Sequence, residues 1–260
     1  MSLKNVVKVM NFHALLRVDR SRKTAKKYEQ MEHMVLEMID NILNNRNIIL
    51  DVKAIQMDPS MPELQIYLGS DLGFCGNLNN LVRRGCQETS RGSQIILVGR
   101  KLSGLRDENT LVYLTREEFV QNHQIVLDIL SEGLRKKEFS AVRLIYNHYH
   151  NASEVEFVNK VIFPMPKGLL GNEEYTEDFV CEGDLQELLL DLTELYLQYE
   201  LEIASQMSLA AENITRQNIT TESLKKIDER EEEALQQERR EQKDKEFAKV
   251  LDNFTKLRHY

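Results

Sequence analysis

The sequence predicts an α/β protein with long helices, in which an antiparallel coiled coil of the N- and C-terminal helices carries a central Rossmann-like module. Three observations lead to this fold class. Long stretches at both ends have helical patterning, the middle alternates short apolar strands with helical stretches, and the 260 residues include only 11 glycines and 4 prolines. Apolar residues make up 42% of the chain, which is enough to bury a sizeable core.

The N-terminal segment, residues 1–47, is predicted to be one coiled-coil helix about 65 Å long. It contains neither glycine nor proline. Its apolar residues recur at alternating steps of three and four, the spacing of a seam against one partner helix. These positions are Leu3, Val7, Met10 and Ala14, followed by Tyr28, Met31, Val35, Met38 and Ile42. Arg17, Ser21 and Thr24 are expected to interrupt the seam.

Residues 48–166 are predicted to form the globular α/β module, because short apolar runs alternate there with helical patterns. Helices are expected from near Gly76 and over about residues 117–136. The predicted strands begin at Ile48, Leu64, Gln94, Thr110 and Val142, with a further candidate over Val155–Ile162.

A loop over residues 167–183 is expected to lead into a terminal helix over residues 184–260. The first part of this helix is rich in leucine, and the part from Lys225 to Lys249 is mostly charged. A continuous helix would be roughly 110 Å long, much longer than the first helix. Its end must then protrude or contact another protein. The alternative is a flexible, solvated tail.

Charge and cysteine content restrict the possible functions. The net charge of −8 argues against general nucleic-acid binding. Three cysteines without CxxC spacing favour a reducing cytoplasm. No apolar run reaches the roughly 18–20 residues of a membrane span, so no direct membrane insertion is expected and any link to a membrane should pass through a partner.

One ten-residue segment carries a family resemblance. The stretch Ser70-Asp-Leu-Gly-Phe-Cys-Gly-Asn-Leu-Asn79 resembles the signature Ser-Asp-x-Gly-Leu-Cys-Gly-x-hydrophobic-Asn of F-type ATP synthase gamma subunits. The matching residues, taken as structural parts of the module, are Ser70, Asp71, Gly73, Cys75, Gly76 and Asn79.

Other segments follow the family in the same order. Val98-Gly-Arg-Lys, Val142-Arg-Leu-Ile-Tyr-Asn and Leu209-Ala-Ala-Glu-x-x-x-Arg216 are similar to family segments, and Val7-Lys-Val-Met10 resembles Thr-Lys-Ala-Met. The chain departs from the family in its shorter beginning and in the charged stretch from Arg240 to Leu251. By resemblance, the residues expected to contact other subunits are Lys8, Met10, Glu212, Arg216, Arg240 and Gln242.

The resemblance implies a non-catalytic rotor shaft without a cofactor or a nucleotide site of its own. Its implied partners are a hexamer of alpha and beta ATPase subunits, an epsilon-type subunit and a membrane c-ring, with the chain on the cytoplasmic side. The departures motivate an alternative, namely a gamma-derived adaptor that binds such a complex without rotary coupling.

Three chemical hypotheses compete with this interpretation. The glycines from Gly69 to Gly76 follow a strand but lack the lysine of a phosphate-binding loop, so a turn in which Gly73 and Gly76 relieve crowding and Asp71 or Asn77 binds backbone amides is favoured. Cys75 as a nucleophile would need a histidine base. His148 and His150 share a strand face but lack an evident third metal ligand.

Overall fold

The computed structural model describes residues 3–45, 58–89, 92–165 and 183–257. The strand predicted to begin at Ile48 lies outside the described residues. So do Cys181 and most of the loop predicted over 167–183. Within the described residues, no helix is long and apolar enough to cross a membrane.

Two long helices form the shaft of the molecule. Helix α1 spans Leu3–Leu43 and helix α5 spans Leu185–Leu257. They run antiparallel, since Lys4 at the start of α1 lies 2.7 Å from Asp228, whereas the rings of Tyr28 and Tyr199 lie 6.1 Å apart much earlier in α5. The predicted fold class, an antiparallel coiled coil with an α/β module, is confirmed.

The seam of α1 differs from the predicted one at several positions. Leu3 is 72% exposed, and Asn11 and Glu32 take the seam positions predicted for Met10 and Met31. The seam also continues through the middle of the helix, where Val18, Ser21 and Ala25 are buried and Arg17 is exposed. Ser21 therefore belongs to the seam, because small side chains let the two helices approach closely. Nearer the C-terminal end of α1, Met38 is 50% exposed and Ile39 occupies the seam instead. The seam positions run Val7, Asn11, Ala14, Val18, Ser21, Ala25, Tyr28, Glu32, Val35, Ile39 and Ile42.

A polar seam residue fixes the alignment of the two helices near the start of α1. The Asn11 side-chain amide lies 2.7 Å from the Thr221 hydroxyl and 3.0 Å from both the Thr220 hydroxyl and the Gln217 carbonyl. A polar group at a seam position favours the one register that satisfies its hydrogen bonds.

A five-stranded sheet forms the module. Its strands are β1 (Leu64–Leu68), β2 (Gln94–Val98), β3 (Thr110–Leu114), β4 (Val142–Asn151) and β5 (Glu154–Phe163). The spatial order is β3-β2-β1-β4-β5. All neighbours are parallel except β4 and β5, which form an antiparallel hairpin.

Helices cover both faces of the sheet. Helix α2 (Leu78–Thr89) and a 3-10 helix (Arg100–Leu105) lie on one face, where Tyr67, Val82 and Leu97 share a small core. On the other face, Ile66, Val98 and Leu144 belong to one continuous core with residues of α1 and α5. The module therefore packs directly on the shaft instead of hanging from its end.

The helix predicted over residues 117–136 is in fact two helices. Helix α3 spans Arg116–Asn122 and α4 spans Gln124–Lys136, with His123 between them. Thr115 begins α3 with a capping box, because its hydroxyl accepts from the Glu118 amide while the Glu118 carboxylate accepts from the Thr115 amide.

Helix α5 continues beyond its buried contacts with the rest of the chain, and only surface ion pairs of Asp228 and Glu231 with Lys4 are described at the start of this extension. Every side chain from Asp228 to Leu251 is exposed, and the backbone stays helical to Leu257. We call residues 228–251 the bare segment; it is about 36 Å long. The structure favours a protruding helix over the flexible tail that the sequence left as an alternative.

Candidate functional site

The signature loop, residues 69–77, follows the central strand β1. Strand β2 lies on one side of β1 and β4 on the other, so the chain order reverses at this point. In open α/β sheets, the crevice outside the carboxyl end of such a strand is the usual ligand-binding position. Here helix α5 fills that crevice, because Ser208 and Glu212 of α5 line the same small space as Gly69 and Ser70.

Asp71 connects the signature loop to the ends of strands β2 and β3. Its carboxylate accepts hydrogen bonds from the backbone amides of Arg100 at 2.7 Å and Arg116 at 3.0 Å. These amides follow β2 and β3, so one side chain connects the carboxyl ends of three strands. The expectation that Asp71 binds nearby amides is confirmed.

Three further signature residues hold the loop in shape. The Asn79 side chain accepts from the Ser70 amide at 3.0 Å and donates to the Ser70 hydroxyl at 2.9 Å and to the Cys75 sulfur at 3.1 Å. The Ser70 hydroxyl also donates to the Leu72 carbonyl at 2.9 Å. Cys75 is 3% exposed, and its described polar contacts include no histidine. This arrangement supplies no base for a cysteine nucleophile.

Arg116 joins the sheet to helix α5. Its guanidinium donates to the Gly69 carbonyl at 2.7 Å, to the Ser208 hydroxyl at 2.6 Å and to the Ser205 hydroxyl at 3.3 Å. Burial lowers the pKa of Arg116, while the nearby carboxylates of Glu212 and Asp71 raise it in partial compensation. One side chain thus binds a strand end and two hydroxyls of the shaft.

Arg216 makes a second connection between α5 and the signature loop, in this case from a residue of α5 itself. Its guanidinium donates to the Gly73 carbonyl at 3.3 Å and to the Asn213 side chain at 2.9 Å, and it pairs with Glu212 one turn earlier. Glu212 and Arg216 are 6% and 4% exposed. In the isolated chain, these two residues, which were expected to contact other subunits, are buried beside this chain's own loop.

Gly73 and Gly76 have different roles in the loop. Gly76 has φ +56, a left-handed conformation that glycine adopts without strain, and it packs against Thr215. Gly73 faces open space, so the expectation that it relieves crowding is wrong. Its carbonyl points at Arg216, whereas a phosphate-binding loop directs amides at its ligand. The loop is therefore built to hold a guanidinium group.

The remaining predicted contact residues lie away from this junction. Met10 is half-buried and lines a groove of about 440 Å³ that also borders on the exposed side chains of Leu72 and Phe74. Lys8 is exposed on α1, and Arg240 and Gln242 are exposed in the bare segment. Contact of these four residues with a partner subunit stays a prediction.

The histidines of β4 lie close together at the hairpin. The rings of His148 and His150 are 4.8 Å apart, and His150 lies 2.7 Å from Glu156. Burial, followed by the neighbouring His150, lowers the pKa of His148. The described residues contain no group of three or more histidine, cysteine or acidic side chains arranged to hold a metal.

Sequence reasoning missed Arg116, Ser205 and Ser208. A signal for Arg116 was present, because it follows β3 and the carboxyl ends of parallel strands meet at one edge of a sheet. The two serines carried no such signal, since serine on a long helix is ordinarily solvated. Their role depends on which face of α5 enters the crevice.

Comparison with known proteins shows which chains are similar in sequence and fold. A family model described as ATP synthase matches residues 1–245. The ATP synthase gamma chain of Pasteurella multocida is 23% identical over 83% of this chain and 81% of its own length, and that of Clostridium beijerinckii is 22% identical over 87% and 83%. The central stalk of the Tetrahymena thermophila mitochondrial ATP synthase shares the fold, with a TM-score of 0.62 at 19% identity, covering 84% of this chain and 99% of that one.

Proposed function

Because this chain belongs to the gamma-subunit family of ATP synthases, we propose that it is the central rotor shaft of a rotary ATPase. The observation that carries this proposal is the continuity of α5. One helix of 73 residues packs on the sheet, pairs with α1 and then extends alone. Its length of about 110 Å suits a subunit that connects two distant parts of one complex.

The junction at the signature loop supports torque transfer between the module and the shaft. A twist applied to the module must pass into α5 through the contacts that join them. These include buried charged hydrogen bonds from Arg116 and Arg216, which are directional and stronger than hydrogen bonds between neutral groups. We therefore assign the signature residues a mechanical role.

The partners proposed for the chain follow from this role. A hexamer of alpha and beta subunits would surround the bare segment and the start of α1, whereas an epsilon-type subunit and a membrane c-ring would bind the module on the cytoplasmic side. Nucleotide hydrolysis would belong to the hexamer, and this chain would have no nucleotide site. Its contacts would favour different nucleotide states in different catalytic subunits.

Co-expression with candidate alpha and beta subunits tests the proposal. Native mass measurement should give one copy of this chain per three alpha–beta pairs, with ATPase activity that requires it. Truncation after Leu224 removes the bare segment but leaves the buried junction, so it should preserve the fold and abolish coupled activity.

An Arg240→Ala/Gln242→Ala variant is the milder companion to the truncation, since both residues are exposed. It should lower coupled activity without loss of assembly if these residues contact the hexamer. Full activity of the hexamer without this chain, or of a complex with the truncated chain, would favour the non-rotating adaptor.

A further inference from the structure

A buried amide side chain of β4 borders the crevice between the sheet and helix α5. Asn147 lies two residues beyond Ile145, where the pairing of β4 with β1 ends, so it is level with the start of the signature loop. Its side chain lies in the interior, since Asn147 is 4% exposed. The Asn147 Nδ2 group donates to the Leu78 carbonyl at 3.2 Å. This bond fixes the orientation of the amide, because a carbonyl oxygen only accepts hydrogen bonds.

The amide oxygen of Asn147 lacks a donor. Among the described residues, no group donates a hydrogen bond to the buried Asn147 Oδ1 atom. Exchanging the two ends of the amide would not help, since the oxygen would then face the Leu78 carbonyl, which is another acceptor. Buried polar atoms of native proteins are almost always hydrogen-bonded, either to protein or to ordered water. A small ligand that donates a hydrogen bond would satisfy this oxygen.

The space beside Asn147 limits the size of such a ligand. Asn147 lines a small cavity together with Gly69 and Ser70 of the signature loop and Ser208 and Glu212 of α5. All five residues are buried. The space open to a water-sized sphere is about 10 Å³, which is roughly the minimum that holds one water molecule. The cavity therefore admits a water or a monatomic ion and nothing larger.

The α5 side of the cavity offers further hydrogen-bond partners. Glu212 uses its Oε1 atom to pair with Arg216, and a carboxylate can accept additional hydrogen bonds at its two oxygens. The Ser208 hydroxyl accepts from Arg116 at 2.6 Å. A buried water typically makes about three hydrogen bonds. Asn147, Glu212 and Ser208 together provide that number of partners.

The charges at the junction favour a neutral ligand over a cation. The guanidinium groups of Arg116 and Arg216 and the carboxylates of Asp71 and Glu212 meet there. Positive and negative charges are equal in number, so a cation would add a buried charge without a partner. Such a charge is costly away from water, whereas a water molecule can donate to both acceptors without that cost.

We propose that one water molecule, bound in this cavity, bridges Asn147 of β4 to Glu212 and Ser208 of α5. The water site adds β4 to the strands that Asp71 already connects at the junction. It does not depend on the rotor function. In a rotor, it would be a further link between the module and the shaft, and Asn147 would be a positioning residue for α5.

A high-resolution crystal structure of the full chain tests the site directly. It should show one density peak within about 3.0 Å of Asn147 Oδ1 and of a Glu212 carboxylate oxygen. Crystals soaked in rubidium chloride should show no anomalous signal at this peak. A rubidium signal would identify a cation site and overturn the assignment of water. An Asn147 oxygen without a peak, or bound directly to a protein donor, would overturn the proposal as a whole.

A second experiment counts slowly exchanging waters in solution by oxygen-17 relaxation dispersion. Asn147→Leu replaces the amide by an apolar side chain of similar size, so it should lower the number of long-lived waters by about one relative to wild type. Asn80→Leu, at an exposed asparagine of α2, is the matched control and should leave the number unchanged. An equal number in wild type and in folded Asn147→Leu would contradict the proposal. The crystal experiment uses the wild-type chain and decides the question even if this variant does not fold.

Discussion

At the residue scale, the junction between module and shaft depends on charged groups that are costly to bury. Arg216 and Glu212 are almost fully enclosed, and Arg116 donates into the same region. Buried ion pairs add little net stability, because desolvation offsets most of their attraction. Their directional hydrogen bonds instead restrict how α5 sits against the signature loop. The junction therefore gains a defined geometry more than it gains stability.

Substitution of Arg216 by methionine should destabilise the protein by about 3–5 kcal/mol, because Glu212 is left buried without its partner. The double variant Arg216→Met/Glu212→Gln removes the stranded charge and should be more stable than the single variant. Urea unfolding of both chains measures this difference. If the double variant lost as much stability as the single variant or more, the unpaired charge of Glu212 would not be the cause of the destabilisation.

At the scale of elements, the sequence located the strands well and the helix contacts less well. Strands β1 to β5 lie where the sequence predicted them. The clearest cases are β1 and β2, because parallel strands buried on both faces have nearly continuous apolar runs. The seam of α1 was harder to predict, since Ser21 and Glu32 lie in it while Leu16 and Met38 are exposed. Apolar character does not identify a seam where close approach requires small residues.

The candidate site was predicted in part, because the sequence does not show which face of a helix is buried. Asp71 could be assigned to backbone amides, because an acidic residue just after a strand has few other partners. The position of α5 in the crevice could not be assigned, since Glu212 and Arg216 look like an ordinary exposed pair one turn apart. Only the packed structure shows which face of α5 is buried.

Gly99 should be one of the least replaceable residues of the sheet. It follows β2 with φ +117, and an added Cβ would lie 2.6 Å from the carbonyl carbon of Gly69. Gly99→Ala should therefore cost more than about 2 kcal/mol in free energy of unfolding. Gly104→Ala is the matched control, because no atom lies within 4 Å of its added Cβ. Similar losses for both variants in thermal unfolding would contradict this role.

Ala25 tests the close approach of the two shaft helices. It is 0% exposed in the seam, so leucine at this position should force α1 away from α5 and cost about 1–3 kcal/mol. Lys26→Leu, on the exposed side of the same turn, should change stability by no more than about 0.5 kcal/mol. Urea midpoints for the two variants provide the comparison. An unchanged midpoint for Ala25→Leu would mean that the seam accommodates leucine without moving the helices apart.

At the scale of the whole molecule, helix α5 passes through three different environments. Helix α5 shares a core with the sheet at Leu189, pairs with α1 near Ala211 and is exposed from Asp228 onwards. Because no loop interrupts it, a rotation of the module must turn the bare segment as well. The charged composition of that segment keeps it in water, and its exposed charge pairs are too weak to hold one fixed angle.

A flexible point in the bare segment should uncouple the two ends of the molecule. Gln236→Gly/Gln237→Gly adds a cost of about 1 kcal/mol per glycine relative to alanine in a helix without supporting contacts. We expect unchanged urea unfolding of the buried core but lower coupled ATPase activity in the assembled complex. The control Gln236→Ala/Gln237→Ala should retain activity, and equal activity of both variants would argue against a stiff axle.

The most direct measurement is observation of rotation in single complexes. The catalytic hexamer would be fixed to a surface and a bead attached to the module through a cysteine at the exposed Glu108 in a Cys181→Ser background, since Cys75 and Cys86 are buried. A rotor shaft predicts stepwise rotation in one direction that depends on ATP and stops when ATP is removed. A bead that stays still while the hexamer hydrolyses ATP at its full rate would contradict the account.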